Sequence, residues 1–522
     1  MTASNHTAIT AHHPAGAQRA RATSTTIALA PLAAIVILGA ALRISQLHQS
    51  LFADELWSYV GATRSSFDQV IDYVRTDQEI TPPLYTVLAW LSAKAGDPTV
   101  MIRLPSLLGG IVTIPLTYAL GLRTLGSRGA ACLGAALVAL SPFLLWYSVE
   151  ARAYGLTIAL VVASTLSLLI AIDRGRWRWW AAYAGLSCAA MYAHYTAVFV
   201  LLAQLAWALW FHPEVRRQAI AANLAAASAF LPWLSGLVDD LESPSQHIYG
   251  TLAQFNLDSF TNSTVRFAFS QPLGPKFSST WPKVALVCGF AVAIAGAFLS
   301  WRAAAQRDPR SRRRVESLSL VVMLALAAPV GVAAWSLIGN DLYLPRNLVT
   351  SWPGLAVGMA ALLTAGPLIP RTVAIVLVVG AFAYGAIRTT GPNLQRPGFR
   401  EAAAFIDEKA RAPDLVLDIN PLFLRRTHKG PPQPPALTLD INFEEAHNAI
   451  DYLNRADGRR ALRAAAGRRL VLAGNPVFVL PVRDTLGLRD VTPVAQRSYQ
   501  GILPMTVEVF AIPPVPPGSA QP

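Results

Sequence analysis

Apolar runs of about 17 to 22 residues recur along the first 390 positions, separated by short polar segments. They lie near 25–42, 103–122, 129–148, 152–171, 177–192, 194–211, 218–236, 282–301, 317–338, 347–364 and 368–388. Each is long enough as a helix to cross roughly 30 Å of hydrocarbon, so the pattern predicts a mainly α, polytopic transmembrane chain of about eleven spans. A twelfth apolar stretch, 82–95, is only about 14 residues, near 21 Å as a helix, and short for a span.

Charge decides how to treat that stretch. With 82–95 left out and the N-terminus inside, the cytoplasmic loops carry Arg123 and Arg128, then Arg174, Arg176 and Arg178, then Arg216 and Arg217, then Arg302 to Arg314, and Arg371. Counting 82–95 as a span moves these clusters outside, against the positive-inside rule. The expectation is therefore an interfacial or re-entrant helix on the outer surface, within a long outer loop, 43–102. A second outer loop covers 237–281, and short outer turns fall near Glu150, His194 and Tyr343 to Arg346. The chain is expected in the cytoplasmic (inner) membrane, with its N-terminus cytoplasmic.

Composition agrees with a bilayer as solvent. Of 522 residues, 53% are hydrophobic and 14% charged, against about 25% charged in soluble domains. The net charge of +13 sits in topology-setting loops, which argues against a nucleic-acid partner. Three cysteines at unrelated spacings inside apolar runs suggest packing roles. Residues 1–24 read as a disordered cytoplasmic tail and 25–389 as the transmembrane domain. From 390 to 522 the composition becomes that of a soluble extracytoplasmic α/β accessory domain. There, helices are predicted at 400–410, 443–455 and 459–466, and strands at 415–419, 470–472, 477–481 and 506–512.

Polar residues at the outer boundary are the candidates for chemistry. Asp54 and Glu55 are adjacent carboxylates just after the first span, where unpaired charge is costly unless it meets a metal, a basic partner or a substrate. Arg103 opens the second span, as a lipid anchor or a phosphate holder. Glu150 and Arg152 flank a very short turn, either as a structural pair or facing a substrate, with Trp146, Tyr147 and Tyr154 around them. His194 and Tyr195 begin a further span, and Arg346 is a lipid anchor or a phosphate clamp.

Taken in order, these residues resemble the membrane-embedded C-type (GT-C) glycosyltransferases, within the bacterial group related to protein O-mannosyltransferases and the lipid A aminoarabinose transferase. The resemblance rests on Asp54-Glu55, Pro82-Pro83-Leu84-Tyr85, Arg103-Leu104-Pro105-Ser106, Ser141-Pro142 leading to Glu150-Ala-Arg152-Ala-Tyr154, His194-Tyr195 and Pro345-Arg346. It covers about residues 25–390. It implies transfer of a sugar from a polyprenyl-phosphate donor to a lipid, glycan or protein acceptor outside the membrane, in cell-envelope assembly. By the same resemblance Asp54 is the candidate general base, Glu55 orients the acceptor or a divalent cation, and Arg103, Arg152 or Arg346 stabilises the leaving phosphate. Metal use stays open, because no clear set of three or four ligands stands out. The competing reading is a transporter or flippase of lipid-linked sugars, which predicts charges lining a path and repeated halves.

Overall fold

The computed structural model describes residues 15–77, 79–243, 254–270, 273, 280–304, 311–410, 414–419, 462–463 and 465–514. Among the described residues, seven helices are long and apolar enough to cross a bilayer: Pro98–Leu125, Tyr154–Arg174, Pro213–Glu242, Thr280–Arg302, Arg314–Ile338, Pro345–Thr364 and Leu368–Thr390. The position predicted as one span at 129–148 holds two helices instead, Arg128–Leu140 and Pro142–Val149, bent by 59°. Ala15–Ile44, Trp177–Ala193 and Ala197–Phe211 occupy the remaining predicted positions. The first of these starts inside the segment read as a tail. Pro83–Ala93 has 11 residues, about 16 Å of helix, too short to cross hydrocarbon.

The bend follows from local chemistry. Pro142 has no N–H and takes the first position of the second helix, where none is needed. The Ser141 hydroxyl caps that helix by accepting from the Leu144 N–H. Two carbonyls at the break are met by Arg43, fully buried, whose guanidinium donates to Val138 O (3.1 Å) and Ala139 O (3.2 Å), and also to Gly39 O (2.9 Å) in its own helix. Arg43→Met is expected to cost about 1–3 kcal/mol by leaving these acceptors unsatisfied, read as a lower thermal midpoint in detergent. An unchanged midpoint would dismiss the capping role.

The helices pack closely where side chains vanish. A Cβ on Gly155 would lie 2.2 Å from Ser106 O, and one on Gly109 would lie 2.5 Å from Gly155 O. Deeper in the bundle Gln204 donates to Thr165 Oγ1 (2.8 Å) and Ser164 Oγ (3.1 Å). Small residues and satisfied polar groups of this kind hold helices together where lipid removes the hydrophobic drive.

The chain ends in a four-stranded sheet: β1 Leu415–Ile419, β2 Arg469–Gly474, β3 Ala495–Tyr499 and β4 Met505–Ala511, in the order β1-β2-β4-β3. β1 and β2 are parallel, and β4 runs antiparallel to β2 and β3. The strand predicted at 477–481 is a helix, Pro476–Thr485. Asn475 caps it by accepting from the Val477 N–H, and Pro476 takes the first position. Val479 and Val482 point inward while Val477 and Leu480 are exposed, a helical rather than an alternating pattern. The helix predicted at 400–410 is Phe399–Lys409. The prediction at 443–455, and half of that at 459–466, lie outside the described residues.

One face of the sheet does not end in solvent. Val416, Val471, Val507 and Val509 share a hydrophobic cluster with Phe399, Phe405 and Ile406 and with Leu51, Leu56, Tyr85 and Ile102 of the first long loop. The link is also polar. Arg396 N–H donates to Gln49 Oε1 (3.1 Å) and Arg400 N–H to Ser50 Oγ (3.0 Å).

Candidate functional site

At the end of the bundle that carries the sheet, a cleft of about 230 Å³ is lined by Asp54, Glu150, Arg266 and Arg346 together with Trp146, Tyr147, Leu394 and Ile502. Two carboxylates and two guanidiniums thus converge from four separate segments. Arg346 Nη1 donates to Asp54 Oδ2 at 2.7 Å, both side chains being partly exposed to the cleft. Arg346 enters from the 3-10 turn Pro345–Ser351, and Arg266 from the helix Leu257–Phe269. These two elements are tied together: Thr264 Oγ1 and Tyr343 Oη are 2.9 Å apart, the Phe260 and Tyr343 rings stack at 5.0 Å, and Trp352 Nε1 donates to Phe267 O at 2.9 Å.

Backbone strain gathers here too. Among the described residues the two non-glycine positions with positive φ are Ala53 (50°) and Ser270 (64°), and both line the cleft. Such conformations cost about 1–3 kcal/mol each and persist where the surroundings impose them. At Ala53 the consequence is visible. Asp54 stays at the cleft while Glu55, the first residue of the helix Glu55–Ala62, turns into the protein.

Glu55 is fully buried, accepts four hydrogen bonds and pairs with a second guanidinium. Arg103 donates through Nε to Oε1 (2.8 Å) and through Nη2 to Oε2 (2.9 Å), and Arg396 Nε lies 2.9 Å from Oε2. The Ala151 N–H donates to Oε1 (2.8 Å) and the Phe52 N–H to Oε2 (3.0 Å). Burial by itself drives this carboxyl's pKa up, but the Arg103 and Arg396 guanidiniums and the Ala151 N–H outweigh it and hold the pKa below the usual carboxylate value. Glu55 is therefore placed as a junction between the first loop, the turn at 150–153 and the connector to the sheet, not as a group facing the cleft. Arg103 is likewise fully buried; it also donates to Leu47 O and Gln49 O, each at 2.6 Å, and to Ser50 O at 3.0 Å.

Glu150 and Arg152 do not pair with each other. Arg152 makes a bidentate ion pair with Glu79, Nη1 to Oε2 at 2.6 Å and Nη2 to Oε1 at 2.9 Å, and reaches Ser58 Oγ at 3.3 Å. Glu150 remains in the cleft, with Oε2 buried and without a hydrogen-bond partner among the described residues. Burial pushes its carboxyl up to about 7; Arg396 opposes that shift, and the nearby Glu55 and Asp54 charges add to it.

Behind the cleft the Tyr154 ring packs on Tyr147 at 5.1 Å and on His194 at 5.6 Å. His194 Nδ1 pairs with Thr196 Oγ1 at 2.9 Å, and the Tyr195 hydroxyl donates to Asp240 while accepting from Trp233 Nε1 at 3.0 Å. Of the nine residues singled out in the sequence, Asp54, Glu150 and Arg346 line the cleft. Tyr154 and His194 form its backing, and Glu55, Arg103, Arg152 and Tyr195 hold the surrounding loops. In the sequence Arg266 stands with Lys276 and Lys283 as a basic residue of the second outer loop, in no recognisable motif, and the structure places it in the cleft. Sequence reasoning passed over Arg396, which is buried over the Trp146 ring at 4.5 Å and left no local signal. Among the described residues no group of three or more His, Cys, Asp or Glu is placed to hold a metal ion. Asp54 and Glu150 are the carboxylates that open on the cleft.

Comparison with known proteins adds a family. Residues 81–235 match the family model described as dolichyl-phosphate-mannose-protein mannosyltransferase. No curated protein matches the chain. Among solved structures, ArnT from Cupriavidus metallidurans bound to undecaprenyl phosphate is 11% identical, with a TM-score of 0.47 over 92% of this chain and 97% of its own. AglB from Archaeoglobus fulgidus, in complex with an inhibitory peptide and a dolichol-phosphate, is 12% identical, with a TM-score of 0.47 over 94% of this chain and 74% of its own. The matched stretch contains Pro82-Pro83-Leu84-Tyr85, Arg103, Glu150-Ala-Arg152-Ala-Tyr154 and His194-Tyr195. Over that stretch, residues 81–235, this multi-pass membrane protein is similar to the dolichyl-phosphate-mannose-protein mannosyltransferases.

Proposed function

We propose that the chain transfers a sugar from a polyprenyl-phosphate donor to a lipid, glycan or protein acceptor at the outer face of the cytoplasmic membrane. The observation that carries this reading is the cleft itself: Asp54, Glu150, Arg266 and Arg346 meet at one end of an apolar bundle. A donor of this kind keeps its isoprenoid in hydrocarbon and offers a phosphosugar at the interface. The leaving group is a phosphate, which needs positive charge rather than a proton, and Arg266 and Arg346 supply two planar guanidiniums suited to it. Asp54, anchored by Arg346, is the catalytic carboxylate set against the sugar. The arginine-rich turns lie at the opposite end, which supports the outward orientation of the cleft by the positive-inside rule. The sheet, packed on the first loop, contributes Leu394 and Ile502 to the cleft wall through its connector and hairpin.

The test is transfer by the purified chain in lipid vesicles from a panel of radiolabelled polyprenyl-phosphate sugars. Asp54→Asn is expected to lower transfer by about 10²-fold or more while donor binding persists. Transfer unaffected by the change removes Asp54 from the chemistry. Movement of lipid-linked sugar across the vesicle membrane without transfer replaces the enzyme by a transporter.

A further inference from the structure

We infer that Glu150, rather than Asp54, takes the proton from the attacking acceptor hydroxyl. The inference rests on the glycosyl-transfer reading and names the base within that same cleft. Three observations carry it.

The first is the difference between the two carboxylates. Asp54 Oδ2 is engaged by Arg346 at 2.7 Å. Glu150 lines the cleft, and its buried Oε2 has no hydrogen-bond partner among the described residues. A buried acceptor left open is costly, and such groups are kept where something is to be bound there. The second is the rigidity of its mount. Glu150 N–H donates to Trp146 O at 3.1 Å, Glu150 O accepts from Arg152 N–H at 2.7 Å, and the next N–H, of Ala151, is pinned by Glu55 at 2.8 Å. Arg152 in turn is clamped by Glu79. A carboxylate held on both sides in this way is preorganised for proton transfer.

The third is its surroundings. The groups that face Glu150 are Asp54, Glu55 and Tyr85 from the first loop, Tyr147 from the helix before it and Tyr154 from the helix after it, Arg346 from the 3-10 turn and Arg396 from the connector to the sheet. Burial with this mixture of charges leaves the carboxyl near 7, the range in which a general base works best at neutral pH.

The step balances. The acceptor oxygen forms a bond to the anomeric carbon as the bond from that carbon to the phosphate oxygen breaks. The polyprenyl phosphate leaves with the electron pair between Arg266 and Arg346. The hydroxyl proton passes to the Glu150 carboxylate and later to water. Asp54, paired with Arg346 at 2.7 Å, stays beside the positive charge that develops on the sugar ring.

Two measurements on the full chain in lipid test this. In infrared difference spectra across pH 5 to 9, wild type is expected to show a protonated-carboxyl band, titrating near neutrality, with a component that Glu150→Gln removes and Asp54→Asn leaves. In the transfer assay, kcat/KM of wild type is expected to rise with pH through about 7 and level off, because the base acts only when deprotonated. Glu150→Gln should lose about 10²–10⁴-fold and with it that acid limb. Glu150→Asp should keep the limb at a reduced rate, and Asp54→Asn should lose rate while keeping the limb. A limb that persists in Glu150→Gln, or a band that this variant leaves intact, overturns the inference and leaves the glycosyltransferase standing. A wild type that transfers nothing from any donor in the panel overturns both.

Discussion

Glu55→Gln is expected to destabilise the protein by about 3–5 kcal/mol, the larger of the effects anticipated here. The substitution keeps the shape and removes the charge that two buried guanidiniums share. Arg103 and Arg396 are both almost wholly inaccessible. Neither has water to turn to, and an unpaired buried cation costs far more than the pair contributes. The measurement is the thermal unfolding midpoint of the purified protein in one detergent, with Asp54→Asn as the neighbouring control. Because Asp54 is half in the cleft, its substitution should leave the midpoint close to wild type. Adding Arg396→Met to Glu55→Gln should cost less than the sum of the two changes, since the second removes one of the stranded charges. Strict additivity would show that the two residues do not act as one unit.

Gly155→Ala is expected to be the next most damaging change, at about 3 kcal/mol, the upper end of the range for overpacking. The added carbon would sit 2.2 Å from the Ser106 carbonyl oxygen and 3.0 Å from its carbon. Both are backbone atoms, so no side chain can rotate aside. The helices Leu104–Leu125 and Tyr154–Arg174 must move apart, and the Ser106 Oγ bond from Gly155 N–H (3.0 Å) is lost with them. The turn at 150–153 leads directly into the second of these helices, so the shift reaches Glu150. Transfer activity should therefore fall together with the thermal midpoint. Gly185 and Gly380 make the comparison sharp, because a Cβ on either meets nothing within 4 Å. Alanine at those positions should be silent, and a silent Gly155→Ala would mean that the two helices do not approach as described.

The helices were legible because a bilayer demands long apolar runs, and few other signals in a sequence are as strong. Their shapes were less so. The Ser141-Pro142 pair was noted as part of a motif, but an unbroken apolar run through it reads as one straight span. The bend depends on Arg43 being available, 96 positions away from Ala139, to meet the freed carbonyls. At 477–481 an apolar run of five suggested a strand; Asn475-Pro476, a cap followed by proline, was the better signal and marks a helix start.

For the cleft, the side of the membrane and the residue types were enough to single out Asp54, Glu150 and Arg346. Partners were not readable. Glu150 and Arg152 are two positions apart and opposite in charge, yet Arg152 belongs to Glu79, 73 positions earlier. Asp54 and Glu55 are adjacent and read as one feature, yet the strained Ala53 and the helix start send them to different jobs. Which of two carboxylates faces a substrate is settled by pairing across distant segments, and nothing local in a sequence records that.

The shared core between the first loop and the sheet has a consequence for synthesis. Gln49 and Ser50 bond to residues 347 and 350 positions later, and Leu51 and Leu56 pack beside Val507 and Val509. The ribosome delivers the loop early and its covering strands last. Through most of translation the loop therefore waits at the membrane surface with apolar side chains uncovered, a state that invites mispairing or quality-control capture. Ile502, between β3 and β4, joins the cleft wall only once that hairpin has been made.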